Sequence, residues 1–285
     1  MIIGGSKKDV IENIKKNVNN NELNKKAELG DPVLSDEEKE KIISHFFNIR
    51  KRKASFAIKN KLAYKAVDEV AKQLDSFIEL EGLSNLDNIE DGAIITSNHF
   101  NPIDNIIVRK LILNKYHKNM YIVIQDTNLA MPGKIGFLMN YLNNVPISKS
   151  PSYINKILTP YLKELLDNKE YILIYPEEEM WFNYRKPRPC KRGAYQFAAE
   201  NNKPIISCFV EIQDLEEMDN DEFSQVKYII HVLKPIYPDA SLSIRENSIK
   251  MAEIDYNQKK EAYEKYYGKA LTYDFSYDDI AGYRR

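Results

Sequence analysis

The chain has 285 residues, of which 43% are apolar and 29% are charged, and its formal net charge is −1 at pH 7. This length and apolar content support one large hydrophobic core, or one domain with an added segment. The near balance of charge excludes the strong positive field that is typical of proteins that bind nucleic acid.

The cysteines and the hydropathy pattern restrict the compartment. Cys190 and Cys208 are too few for a disulfide framework, which favours a reducing compartment. No Cys/His spacing resembles a zinc site, so no metal is implied. The longest apolar runs, 106–113 and 204–210, fall far short of the roughly 20 residues that cross a bilayer, and the N-terminus lacks a signal-peptide core. We therefore expect a soluble or peripherally bound protein.

The N-terminal region predicts helices after an extension. Residues 1–34 are rich in Asn and Lys and end in Gly30-Asp31-Pro32, which predicts an N-terminal extension that stops at a turn. Ser35 and Glu38 form a capping-box pattern that predicts a helix start. A second helical stretch covers about 56–74, and the basic cluster 50–53 lies between the two helices.

The pattern changes at about residue 76, which predicts a boundary between an N-terminal helical extension, 1–75, and a second domain, 76–285. Short apolar runs predict strands at 77–80, 93–96, 120–124, 171–175, 205–210 and 228–233. Helical spacing predicts helices at 102–113, 133–142, 153–166, 193–201 and 246–267. This alternation predicts an α/β fold whose mostly parallel central sheet is flanked by helices, with its site at the carboxyl ends of the strands.

A histidine and an aspartate follow the predicted strand 93–96. Asn101 suits an N-cap and Pro102 the first helical position, which places Asp104 in the first turn and His99 just before the helix. An imidazole in that place can take a proton from a substrate hydroxyl while the carboxylate orients it. The helix dipole alone also favours an acidic residue there, so a purely structural role stays open.

The segment Asn98-His99-x4-Asp104 resembles the NH-x4-D motif of the glycerolipid acyltransferase superfamily, the lysophosphatidate and glycerol-phosphate acyltransferases. Later segments continue the resemblance in the family's order, over about residues 77–236. These segments are 143–150, 172–177, 191–200 and 203–206. The resemblance implies an acyltransferase-like fold for residues 76–285, with His99 and Asp104 as catalytic residues.

The resemblance also implies an acceptor site, in which the chain departs from the family pattern. Glu178-Glu179-Met180 stands where the family has Gly-Thr-Arg, and Lys149 stands where the second block has Arg. Lys149 can still hold a phosphate as a point charge, without the two-pronged geometry of Arg. The residues implied for acceptor or phosphate binding are Lys149, Glu177, Arg185, Lys191 and Arg192, with Arg188 as a further substitute for the missing arginine. Glu177 is equally consistent with helix capping or ion pairing.

Two segments have the amino-acid composition of protein segments that contact a membrane surface. Trp181, Phe182 and Tyr184 lie beside Arg185 and Lys186, as in interfacial loops, although ordinary loop packing gives the same composition. The basic stretch 50–65 suits anionic lipid, and a solvated helix face is the alternative.

The implied reaction is acyl transfer from a thioester, acyl-CoA or acyl carrier protein, to a hydroxyl of a lysophospholipid or glycerophosphate-type acceptor. Backbone N–H groups near Pro102–Asp104, or in the second-block loop, would stabilise the oxyanion. No resident cofactor is implied, and the expected location is the cytoplasmic face of the cell membrane. Two alternatives remain: an acyltransferase for a non-phosphate acceptor such as a glycolipid or amino-acid lipid, and a non-catalytic lipid-binding relative.

Overall fold

A seven-stranded, mostly parallel sheet forms the centre of the molecule in the computed structural model, which describes residues 7–284. Its strands are β1 (Ile78–Glu81), β2 (Ala93–Thr96), β3 (Tyr121–Gln125), β4 (Asn144–Ile147), β5 (Tyr171–Leu173), β6 (Ile205–Met218) and β7 (Ser224–Val232). The strand order is β1-β7-β6-β2-β5-β3-β4, and among these strands only β6 and β7 pair antiparallel. The predicted α/β class with a mostly parallel sheet is confirmed.

Helices cover both faces of the sheet and precede it at the N-terminus. They are α1 (Lys8–Asn19), α2 (Asp36–Lys51), α3 (Lys53–Leu74), α4 (Asp104–Tyr116), α5 (Gly133–Tyr141), α6 (Pro151–Tyr153), α7 (Thr159–Asp167), α8 (Gly193–Glu200) and α9 (Ile244–Tyr267). The predicted capping box of α2 is present, because Ser35 accepts from the Glu38 N–H while Glu38 accepts from the Ser35 N–H. Among the described residues, no helix is both long and apolar enough to cross a bilayer.

Strand β4 was not predicted as a strand. It contains Pro146, and a proline argues against a strand in the interior of a sheet. The structure places β4 at the edge, beside β3 alone. At an edge, the missing N–H of proline need not interrupt the hydrogen bonds between strands. Residues 144–147 of the second motif segment, 143–150, can therefore form a strand.

The period-2 alternation along the central strands divides the core into two layers. Ile95 and Leu173 face a cluster that includes α3 and α4, whereas Ile94 and Ile172 face a cluster built by α7, α8 and α9. Strands β2 and β5 are buried on both faces, and β2 is apolar up to Thr96. The polar groups around His99 accordingly lie beyond Thr96, where β2 ends.

The segment predicted as an extension contains helix α1. Its apolar residues Val10, Ile11, Ile14 and Val18 recur at helical spacing and are buried, a signal that the Asn/Lys-rich composition obscured. They pack in one cluster with Trp181, Phe182, Tyr184 and Ile280. Residues 1–6 of the predicted extension lie outside the described residues, and the division between 75 and 76 stays a prediction.

The prediction of an interfacial aromatic loop is wrong. Trp181 and Phe182 have 0% of their surface exposed and Tyr184 has 2%. Residues of α1 cover them from one side, and Ile280 forms a β-bridge to Tyr184 from another. The three aromatic rings are core residues because segments distant in sequence fold over them.

Candidate active site

His99 lies in the loop that follows β2, at the carboxyl edge of the parallel strands. The side chain of Asn98 imitates a strand backbone there: its Nδ2 donates to the carbonyl of Val210 at 3.0 Å, and its Oδ1 accepts from the Val210 N–H at 2.8 Å. These two hydrogen bonds extend the pairing of β2 and β6 beyond Thr96. The next residue, His99, is thereby fixed at the point where the chain turns out of the sheet.

His99 and Asp104 are in direct contact. The imidazole Nδ1 lies 2.7 Å from Asp104 Oδ2, with the histidine side chain 21% exposed and the aspartate 1% exposed. The N–H groups of Phe100 and Asn101 also donate to Asp104 Oδ2, at 3.0 and 3.3 Å. A carboxylate with these donors requires the histidine proton on Nδ1, which leaves Nε2 with a free lone pair. The geometry therefore gives His99 one nitrogen that can accept a proton.

Tyr175 completes this group, and the sequence did not single it out. Its ring stacks on the His99 imidazole, with 3.9 Å between centroids and 12° between planes. Its hydroxyl donates to Asp104 Oδ1 at 2.5 Å. Burial, together with the adjacent Asp104 carboxylate, raises the pKa of Tyr175 well above 10. The phenol is therefore a proton donor across the pH range in which a histidine titrates.

The helix after His99 begins two residues later than predicted. Helix α4 starts at Asp104, and Asn101 organises the turn before it: Asn101 Oδ1 accepts from the Ile103 N–H, and its carbonyl accepts from the Asp104 N–H. The predicted oxyanion site at Pro102–Asp104 is consequently wrong. Pro102 has no N–H, and the other two N–H groups already have partners within the turn.

Glu177 and Arg188 form a buried ion pair beside the His99 backbone. Their closest side-chain atoms are 2.8 Å apart, and the two side chains are 2% and 1% exposed. Glu177 Oε2 also accepts from the His99 N–H at 3.2 Å, and Oε1 accepts from the Arg188 N–H at 2.9 Å. Glu177 has no surface to offer an acceptor, so its contacts are those of a group that holds the His99 loop in place.

Arg188 extends this ion pair to three other parts of the chain. Its guanidinium donates to the carbonyls of Leu23, His99 and Glu179 and lies over the Trp181 ring, 4.5 Å from its centroid. A bidentate, planar group is suited to such a junction. We refer to residues 177–189 as the site loop, because this segment runs alongside residues 99–101.

The basic residues predicted to bind the acceptor fall into two groups. Arg185 is ion-paired with Asp214, and Arg188 is engaged as described above. Lys149, Lys191 and Arg192 are exposed, and within residues 7–284 their side chains make no hydrogen bond or ion pair. Lys149 follows β4, while the other two precede α8, so all three lie where the chain leaves the carboxyl edge of the sheet.

Two comparisons agree with this architecture. Residues 77–211 match the family model described as Acyltransferase. The fold is similar to the crystal structure of the 1-acyl-sn-glycerophosphate (LPA) acyltransferase PlsC from Thermotoga maritima, with a TM-score of 0.51 and 17% identity over 81% of this chain and 89% of that one. No curated protein matches the chain. The predicted resemblance is therefore confirmed at the level of an acyltransferase family match over residues 77–211 and a similar fold.

Removing Arg188 should destabilise the protein strongly. Arg188→Met leaves the Glu177 carboxylate buried without its cation, and such a loss costs roughly 3–5 kcal/mol of unfolding free energy. Urea denaturation of the purified protein measures it. Adding Glu177→Gln to this variant should recover part of the loss, since the amide carries no charge.

The matched control is Arg185→Met, which breaks a more exposed ion pair and should cost less than about 1 kcal/mol. Equal losses in the two arginine variants would contradict the special place of Arg188.

Proposed function

We propose that this chain, with its acyltransferase domain at residues 77–211, transfers a fatty acyl group from a thioester donor to a hydroxyl of a lysophospholipid or glycerophosphate-type acceptor. The donor would be acyl-CoA or acyl carrier protein, with no resident cofactor. The observation that carries the proposal is the 2.7 Å contact of His99 with Asp104, which leaves Nε2 free at the carboxyl edge of the sheet.

In the proposed reaction His99 acts as general base and then as general acid. Nε2 takes the proton of the acceptor hydroxyl as its oxygen attacks the thioester carbonyl carbon, and Asp104 stabilises the imidazolium. The tetrahedral intermediate then breaks its C–S bond, and the departing thiolate takes the proton back from Nε2. The products are an ester and a free thiol.

A covalent acyl-cysteine does not suit this protein. Cys208 is fully buried, and burial raises the pKa of both Cys208 and Cys190 to about 12. Near neutral pH almost none of either thiol is present as thiolate. Direct transfer between the two substrates is therefore the proposed route.

His99→Ala should lower kcat/KM by about 10²–10⁴-fold, because it removes the proposed general base. Asp104→Asn should also lower kcat, since an amide can no longer hold the imidazole with its proton on Nδ1. Release of free thiol from acyl-CoA in the presence of a lysolipid measures the rate. His45→Ala, at an exposed histidine on α2, is the control and should keep the wild-type rate. Full activity in His99→Ala would refute the mechanism.

For a phosphate-bearing acceptor, we propose Lys149, Lys191 and Arg192 as the recognition group. They are the candidates left without a side-chain partner among the described residues, whereas Arg185 and Arg188 are bound elsewhere. Cationic side chains hold phosphate through charge-assisted hydrogen bonds. Their exposure leaves them able to reach a headgroup at the membrane surface.

The second candidate function is acyl transfer to an acceptor without phosphate. It is favoured by the site loop, in which Arg188 neutralises Glu177 internally while Glu178 is exposed beside the His99 backbone contacts. A free carboxylate there repels a nearby phosphate. A glycolipid or an amino-acid lipid would avoid that repulsion.

The two candidates differ in what a charge-removing variant does. Changing Lys149, Lys191 and Arg192 together to Gln should raise KM for lysophosphatidate by about tenfold or more, given about 1.5–3 kcal/mol for a hydrogen bond to a charged group. KM for monoacylglycerol should stay unchanged. Lys118→Gln, at an exposed lysine that follows the C-terminal end of α4, is the control.

A wild-type enzyme that acylates neutral or amino-acid lipids and ignores lysophosphatidate would establish the second candidate. Absence of activity with every acceptor and both donors would favour a non-catalytic lipid-binding role.

We propose that the junction of α2 and α3 contacts the membrane from the cytoplasmic side. Lys51, Arg52 and Lys53 are exposed there, and Ile58 and Leu62 on α3 are 65% and 55% exposed. Basic residues beside exposed apolar ones suit an anionic lipid surface. A solvated helix face is the competing interpretation.

Arg50 does not belong to this surface. Its guanidinium donates to the carbonyls of Phe46, Asn140 and Leu142, so its replacement would disturb the packing of α2 against α5.

Changing Lys51, Arg52 and Lys53 to Gln should weaken binding to phosphatidylglycerol vesicles by about 100-fold, at about 1 kcal/mol for each charge. Vesicle flotation measures the bound fraction. A control with Lys163, Lys169 and Lys250 changed to Gln removes the same charge from other surfaces and should bind normally. Equal binding by all three proteins would refute a membrane role for this junction.

A further inference from the structure

Tyr175 contacts both members of the His99–Asp104 pair through different parts of its side chain. The ring lies flat on the imidazole, 3.9 Å away, and the hydroxyl reaches the carboxylate at 2.5 Å. A residue needed only for packing would not require the hydroxyl, and a hydrogen-bond partner alone would not require the stacked ring. The side chain therefore acts on the orientation of two groups at once.

We propose that Tyr175 is a positioning residue that fixes the His99–Asp104 pair and tunes its basicity. This inference rests on the proposed function, in which His99 is the general base. Tyr175 itself touches no substrate in this scheme, because its hydroxyl is committed to Asp104 and its ring face to the imidazole.

The hydroxyl determines how the Asp104 carboxylate is turned. Oδ2 accepts from His99 Nδ1 and from the N–H groups of Phe100 and Asn101, whereas Tyr175 is the partner that the structure shows for Oδ1. With both oxygens held, the carboxylate cannot rotate away from the histidine. Its alignment is set before any substrate binds, as preorganised catalysis requires.

The same hydrogen bond affects the charge that His99 experiences. A donor on Oδ1 stabilises the carboxylate and draws negative charge away from Oδ2. Asp104 then stabilises the imidazolium less than a carboxylate lacking that donor would. Removing the hydroxyl should therefore favour the protonated histidine and confine the active, neutral form to higher pH.

The stacked ring acts in the opposite direction. An aromatic face stabilises a cation placed over it, so the ring favours the imidazolium, whereas the hydroxyl disfavours it. The two contributions can be separated by substitution, because Phe keeps the ring and loses the hydroxyl, and Leu loses both.

The test compares kcat/KM as a function of pH for the wild type, Tyr175→Phe and Tyr175→Leu, with acyl-CoA and a lysolipid. For Tyr175→Phe we expect kcat to fall about tenfold, the loss of one hydrogen bond to a charged group, with KM unchanged. The acidic limb of the profile should move to higher pH by roughly half a unit. In Tyr175→Leu the acidic limb should lie at a lower pH than in Tyr175→Phe.

The matched control is Tyr171→Phe. Tyr171 is the first residue of β5, the strand that ends two residues before Tyr175, and its buried hydroxyl donates to the carbonyl of Ile89 rather than to the His99–Asp104 pair. This variant should leave the acidic limb in place. Urea denaturation of each variant separates a loss of folded protein from a change in the folded enzyme.

An acidic limb that stays at its wild-type position in Tyr175→Phe would overturn the inference, even if the rate or the stability falls. Such a result would leave the proposed function intact, provided that His99→Ala is inactive. Full activity in His99→Ala would instead remove the proposed function itself, and the inference with it.

Discussion

A buried carboxylate is tolerated only where cations and N–H donors surround it, and this requirement organises the region around His99. Glu177 satisfies it with Arg188 and the His99 N–H, and Asp104 satisfies it with the imidazole, two backbone N–H groups and Tyr175. Both carboxylates take donors from the same short loop after β2. The position of His99 thus follows from satisfying two neighbouring charges rather than from a single contact.

The sequence predicted the local part of this arrangement. His99 and Asp104 are five residues apart, and a turn entering a helix brings such residues together whatever the rest of the chain does. The sheet class followed from apolar runs that are buried on both faces. Strand β4 was missed because Pro146 is informative only once its place at the edge is known.

Contacts between residues without a regular spacing in the chain could not be predicted from a single sequence. Arg188 lies eleven residues beyond Glu177 in an irregular segment, and no periodicity indicates that they pair. The composition of residues 181–186 likewise fits a membrane surface or a core, and only the covering segments decide. Helix α1 did carry a signal, at Val10, Ile11, Ile14 and Val18, which the surrounding Asn and Lys residues masked.

The site loop is held in its conformation by hydrogen bonds to segments that are distant in sequence. Residue 183 exchanges hydrogen bonds with Ala281, 98 residues later, and Leu23 accepts from Arg188. During synthesis the loop and His99 therefore emerge well before the residue-281 segment that covers them. All seven strands end by Val232, so the whole sheet is synthesised before the residue-281 segment that covers the site loop. The nascent chain can therefore form its sheet before the surroundings of His99 are complete.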